Sequence, residues 1–176
     1  MAVVDLPDPS LVVLMGAAGS GKSTFAARHF AASEILSSDA YRALVAGDPA
    51  DQTATRAAFG RLHRELSRRL AEGRLTVVDA TNLEPFARRA LLDRARAAGL
   101  PAVAIVLDPP ASTVLAQNAG RASRVVDEAI VRRHIDRLRA ALDGPDPGFA
   151  REGFAQVVVV RRPDELETIR FRRHPA

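Results

Sequence analysis

Leu11-Val-Val-Leu-Met15-Gly16-Ala-Ala-Gly19-Ser20-Gly21-Lys22-Ser23-Thr24 is the stretch on which the fold turns. Five apolar residues in a row read as a strand covered on both faces. Gly16 to Thr24 then satisfies G-x-x-x-x-G-K-[ST], and a helical pattern begins at Lys22. A strand, a glycine-rich turn and a helix are the context in which this spacing binds phosphate. Gly16, Gly19, Ser20 and Gly21 belong to a loop whose backbone N–H groups curl round phosphate oxygens, and the helix N-terminus, with Thr24 in its first turn, adds its dipole. Lys22 is expected to reach the β- and γ-phosphates, and the Ser23 hydroxyl to meet Mg²⁺. The stretch points to a bound nucleoside triphosphate.

On either side of this stretch, short β-branched runs alternate with longer helical patterns, the signature of βαβ units and a parallel sheet. Strands are expected at Leu11–Met15, near Ile35–Leu36, at Leu75–Asp79, at Val103–Leu107 and at Gln156–Val160. Apolar residues at i, i+3, i+4 spacing predict helices from Lys22, over about Thr55 to Ala71, over Pro85 to Ala98, over Ala111 to Ala119, and over Asp127 to Leu142. Pro85 and Gly99 sit where a helix start and stop favour them. Gly144-Pro-Asp-Pro-Gly148 reads as a turn cluster. The pattern predicts one three-layer α/β domain over residues 1–176, with five parallel strands.

Composition excludes several classes. The chain has 176 residues, 47% hydrophobic, enough for a sizeable core and too many for disorder. No apolar run approaches the ~18 residues of a membrane span, and no basic n-region opens the chain, so a cytoplasmic protein without membrane contact is expected. There is no cysteine, hence no disulfide and no thiolate ligand or nucleophile. Of 25 basic residues, Lys22 is the only lysine. A chain that uses Arg wherever Arg will serve keeps its lysine where Arg will not. The net charge of +4 permits a polyanionic partner without demanding one.

Three further groups carry chemistry. Asp79 ends the strand Leu75-Thr-Val-Val-Asp79, where a carboxylate reaches Mg²⁺ or its waters. Ser37-Ser38-Asp39-Ala-Tyr-Arg42 follows the second strand, at the sheet end where α/β proteins bind ligands. An Asp39 held by Arg42 three residues on stays ionised and can take a proton from a hydroxyl. The same Ser38 and Asp39 would also serve as caps of the helix that follows. In Gln117-Asn-Ala-Gly-Arg121-Ala-Ser-Arg124, the two arginines lie between two helices after the fourth strand. Arginines so placed can neutralise a transferring phosphate, an effect worth ~10³–10⁵ in rate, and the run also fits a solvated Arg-rich helix.

Taken together these residues resemble the kinase module of bacterial polynucleotide kinase-phosphatase. The resemblance spans Leu11 to about Glu167 and rests on Gly16 to Thr24, Ser37-Ser-Asp-x-x-Arg42, and Asp51-Gln-Thr-x-Thr-x-Ala-Ala-Phe59. It continues through Leu75-Thr-Val-Val-Asp-Ala-Thr-Asn82, the arginine stretch up to Arg132-x-His134, and Arg151-Glu-Gly-Phe154. It implies an adenylate-kinase-like P-loop phosphotransferase with a helical, Arg-bearing lid at about residues 117–142. The reaction implied is transfer of the γ-phosphate of ATP to the 5′-hydroxyl end of RNA or DNA. By that likeness Lys22 and Ser23 serve ATP and Mg²⁺, Asp39 is the general base oriented by Arg42, and Arg121 and Arg124 hold the donor phosphates. Asn82 would face the acceptor, and Val126, Asp127 and Val131 would lie where the family meets terminal nucleotides. Gln117 stands where the family usually has arginine, which leaves a small hydroxylated acceptor (a nucleoside, sugar or antibiotic) as the alternative. Family members fuse this module to phosphatase and nucleotidyl-transferase domains, whereas these 176 residues are expected to hold the kinase module alone, with phosphatase or ligase domains as expected partners.

Overall fold

The computed structural model describes residues 3–46, 55–122, 125–143 and 148–176. In chain order the elements are β1 (Val3–Asp8), β2 (Leu11–Met15), α1 (Lys22–His29), β3 (Ile35–Ser37), α2 (Ser38–Ala46), α3 (Thr55–Ala71), β4 (Thr76–Asp79) and α4 (Pro85–Ala97). There follow β5 (Ala102–Leu107), α5 (Ala111–Ala119), α6 (Glu128–Asp143), α7 (Gly148–Glu152), β6 (Gln156–Val160), α8 (Pro163–Thr168) and β7 (Arg170–Pro175). Five of the strands form one parallel sheet in the order β3-β4-β2-β5-β6. These are the five strands the β-branched runs predict. The Asp51–Ala54 part of the resembling stretch and Gly144–Pro147 of the turn cluster lie outside the described residues.

The period-2 alternation of a strand explains the layers. Leu11, Val13 and Met15 of β2 fall in a core with Leu62, Leu66 and Leu70 of α3, Leu91, Leu92 and Ala95 of α4, and Leu138 of α6. Val12 and Leu14 point the other way, into a core with Phe25 and Ala26 of α1. Helices thus cover both faces, and β2, buried along its whole length, lies at the centre. The chain turns from β2 toward β3 on one side and later builds β5 and β6 on the other. That reversal opens a crevice at the carboxyl end of β2, where such sheets hold ligands.

Two strands were not foreseen. β1 and β7 pair in parallel as a separate two-stranded sheet, Val3 opposite Arg170 through Asp8 opposite Pro175. Neither reads as a strand alone, because β7 is mostly Arg and His and β1 contains a proline. Pairing supplies what each lacks. Arg172 donates to both carboxylate oxygens of Asp5 at 2.6 and 2.9 Å, and Arg173 bonds Glu34 at 2.7 and 3.0 Å. Phe171 lies against Phe30 and Phe25 with ring centroids 5.4 and 6.1 Å away, so this sheet braces the back of α1.

Candidate active site

Residues 16–21 leave β2 and deliver the chain into α1. Gly21, the residue before the helix, has φ 91°, and Gly19 has φ 86°, values that L side chains rarely adopt. Gly19 is also a point of close approach, since a Cβ there would lie 2.5 Å from the Val114 carbonyl oxygen. Below the loop, Ala17 and Ala18 pack on Val114 of α5 and on Val131 and Ile135 of α6. The loop is therefore held by shape from beneath, and its Ala18, Gly19 and Gly21 line the cleft.

Lys22 is buried, and its ammonium folds back to donate to the carbonyls of Gly16 (3.0 Å) and Ala17 (2.7 Å). Burial pushes its pKa down to about 8; the Asp79 carboxylate works against that shift and the Arg121 charge adds to it. An arginine, with its planar five-donor head, could not make this compact return to two adjacent carbonyls. This is a physical reason for the one lysine to stand here.

Ser23 Oγ donates to Asp79 Oδ2 at 2.7 Å, which joins the start of α1 to the end of β4. The donor set suits Mg²⁺, which takes hard oxygens, keeps several waters and needs only one or two protein ligands beside phosphate. Among the described residues no cluster of three or more His, Cys, Asp or Glu forms an all-protein metal cage. Ser23 and Asp79 are thus the residues that would hold the ion.

Across the cleft, Asp39 lies in the first turn of α2 and is paired with Arg42 one turn on, while Arg121 approaches within 3.9 Å of its other oxygen. Arg42 is almost wholly buried and Asp39 partly open. The carboxylate is therefore kept among guanidinium groups yet offered to the cleft. The cleft, of about 1100 Å³, is lined by Lys22, Ser23, Asp39, Arg42, Asp79 and Arg121, which are drawn from four separate segments of the chain. Gln117 lines it as well. Arg124 lies outside the described residues.

Asn82 and Val131 sit differently from the acceptor-facing positions expected of them. Asn82 has φ 49°, a left-handed conformation that Asn tolerates, and is almost fully buried. Its amide donates to the Leu14 carbonyl at 2.7 Å, tying the loop after β4 to the central strand. Val131 has no exposed surface and packs under the P-loop. Val126 lines the cleft, whereas the Asp127 side chain accepts from the N–H groups of Ala129 and Ile130 and caps α6.

Two side chains to which the sequence reading assigns no role act as positioning groups. Arg88 of α4, 3% exposed, donates to the Asn82 and Leu83 carbonyls and pairs with Glu152 at 2.5 and 2.7 Å, its guanidinium 4.9 Å from the Phe149 ring centroid. It fixes the loop that follows Asp79. The Glu152 half lies in the Arg151-Glu-Gly-Phe154 stretch, but nothing distinguishes Arg88 from the other helical arginines before folding. Asn118 is the second. Its amide donates to the Val126 carbonyl at 2.7 Å and accepts from the Val126 N–H at 3.1 Å, clipping the arginine-bearing loop to α5.

The AAA domain family model, AAA_33, matches residues 11–145. No curated protein matches the sequence. Among solved structures, the chain superposes on a protein of the Pnkp1/Rnl/Hen1 RNA repair complex with TM-score 0.61 and 19% identity, covering 80% of this chain and 47% of that one. A gluconokinase from Sinorhizobium meliloti gives TM-score 0.52 and 21% identity, with 92% and 87% covered. AvrRxo1-ORF1:AvrRxo1-ORF2 with ATP gives TM-score 0.69 and 16% identity, with 88% and 55% covered. The chain thus spans about half the length of two of these three. At such identities the likeness is one of fold.

Proposed function

The chain belongs to the AAA domain family of P-loop kinases, and from that premise we propose that it is an ATP-dependent polynucleotide 5′-hydroxyl kinase. The observation that carries this reading is Asp39, held by Arg42 and Arg121 on the wall of the cleft that also holds the P-loop. A carboxylate so placed can accept the proton of an attacking hydroxyl. Arg121 can bear on the charge of the transferring phosphoryl group. Mg²⁺ held at Ser23 and Asp79 would neutralise phosphate charge. The protein's share is otherwise positioning: P-loop backbone around the donor phosphates, Lys22 turned from its carbonyls toward them, and Asp39 toward the acceptor. Arg124 belongs to the same proposal as a second lid arginine. The open cleft and the basic excess favour a chain end entering from solvent, as does the likeness to the RNA repair protein.

A second reading, phosphorylation of a small hydroxylated molecule, is favoured by Gln117, which brings an uncharged amide to the cleft where an arginine would bind acceptor phosphate. The gluconokinase shares the fold to a similar degree. Transfer of labelled γ-phosphate from ATP in Mg²⁺ to 5′-hydroxyl RNA and DNA oligomers, with gluconate, nucleosides and 3′-mononucleotides alongside, separates the two. Oligomer labelling that disappears in Asp39→Asn, with affinity that falls as salt rises, supports the polynucleotide acceptor. Labelling confined to a small molecule overturns it.

A further inference from the structure

His134 belongs to none of the roles above, yet α6 carries it to the cleft. Val131 and Ile135 anchor that helix on Ala17 and Ala18 of the P-loop. Three residues on from Val131, His134 shares its face and lines the cleft with Lys22 and Arg121. The imidazole is half-buried, and its Nδ1 is shielded from solvent with no hydrogen-bond partner among the described residues. A buried N–H without an acceptor is costlier than an unshared lone pair, so the ring proton belongs on Nε2, the nitrogen left to the cleft. Protonating the ring would create the orphan N–H at Nδ1. Burial, together with the nearby charges of Lys22 and Arg133, accordingly lowers the pKa and keeps the ring neutral.

The ligand group that fits follows from the neighbours. Lys22 and Arg121 make this part of the cleft positive, so a hydrogen-bond donor there serves an anion. The backbone of Gly19 to Ser23 takes the inner phosphates, and the space toward Asp39 and Arg121 is left for the outermost one. Resting on the nucleotide-site reading above, we propose that His134 donates an Nε2–H hydrogen bond to the terminal phosphoryl group of the bound triphosphate. It is a neutral donor that distinguishes triphosphate from diphosphate without adding charge. After transfer, the contact disappears with the phosphoryl group, so the site holds the product diphosphate less tightly.

The test is calorimetric titration of wild type, His134→Leu and His134→Gln with Mg²⁺-ADP and with the Mg²⁺ complex of the β,γ-imido analogue of ATP. His134→Leu is expected to weaken the triphosphate analogue about tenfold with ADP unchanged, as fits loss of one hydrogen bond to a charged group. His134→Gln, which keeps an amide donor near Nε2, is expected to restore most of the loss. Equal weakening of both nucleotides, or of neither, overturns the assignment. Wild-type protein that binds neither nucleotide overturns the nucleotide-site reading and the histidine assignment with it. Should His134→Leu fail to fold, His134→Met makes the same comparison, and unchanged ADP affinity certifies the folded state of whichever variant is used.

Discussion

Ser23 Oγ and Asp79 Oδ2 lie 2.7 Å apart although 56 residues separate them in the chain. One residue opens α1 and the other closes β4; the parallel pairing of β2 with β4, Leu14 opposite Asp79, brings them together. The expected consequence is that Ser23→Ala and Asp79→Asn each weaken binding of Mg²⁺-nucleotide, on the order of ten- to a hundredfold. Binding of the same nucleotide in EDTA should change little. Titrations with and without Mg²⁺ check this, and equal losses in both conditions would remove the metal role.

Lys22 should trade stability for binding. Its folded pKa is about 8 against an ordinary 10.5, with burial the first cause. Between those two values the unfolded chain holds more protons than the folded one, so this group makes the protein more stable as pH rises from 8 toward 10.5. Below pH 8 the buried charge is a standing cost, of which its two carbonyl bonds return a part. Lys22→Met is therefore expected to stabilise the ligand-free protein at pH 7 by about 1–2 kcal/mol, some 2–8 °C in melting temperature, while abolishing nucleotide binding. A variant that melts lower and still binds would contradict both halves.

Asp39→Asn keeps the shape of the side chain and removes the base. Turnover should fall ~10²–10⁴-fold, the range for a lost general base, with nucleotide affinity near that of wild type. Single-turnover rates beside equilibrium nucleotide titrations separate the two effects. Near-normal turnover would leave Asp39 only its place at the start of α2.

Arg88 and Glu152 form a largely buried pair that does not line the cleft. Removing one partner leaves the other charge uncompensated, so Glu152→Ala is expected to cost about 3–5 kcal/mol. Replacing both with apolar residues should cost less than either single change. Urea denaturation of the two single variants and the double variant completes the cycle. Hydrogen exchange should quicken first at Asn82 and Leu83, whose carbonyls Arg88 holds.

Signals written along the chain were legible before folding. The five strands of the main sheet, the P-loop with its glycines, Lys22 and Ser23, and the Asp39–Arg42 pair are all local: a run of apolar residues, a loop of fixed spacing, a three-residue offset on a helix. For such features the deciding interactions lie within one turn or one strand. Asn82 shows where that reasoning stops. Its place after Asp79 was visible, but its left-handed backbone and its bond to Leu14 depend on β2 lying next to β4.

The chemistry on offer is written along the chain: a phosphate-loop pattern, a strand-end acid, a carboxylate paired with an arginine, and a set of arginines between two helices. Tertiary packing adds the role of Arg88 and divides the work among the residues of α6. Arg88 looks like any other helical arginine in sequence, yet it is sealed against Glu152, whereas Arg121, marked out by its place between two helices, reaches Asp39. β1 and β7 become strands only through each other, and Val131 and His134, one turn apart, divide into packing and cleft. The physical reason is common to all of these. Burial and pairing are properties of neighbours in space, and a parallel sheet takes its neighbours from distant parts of the chain.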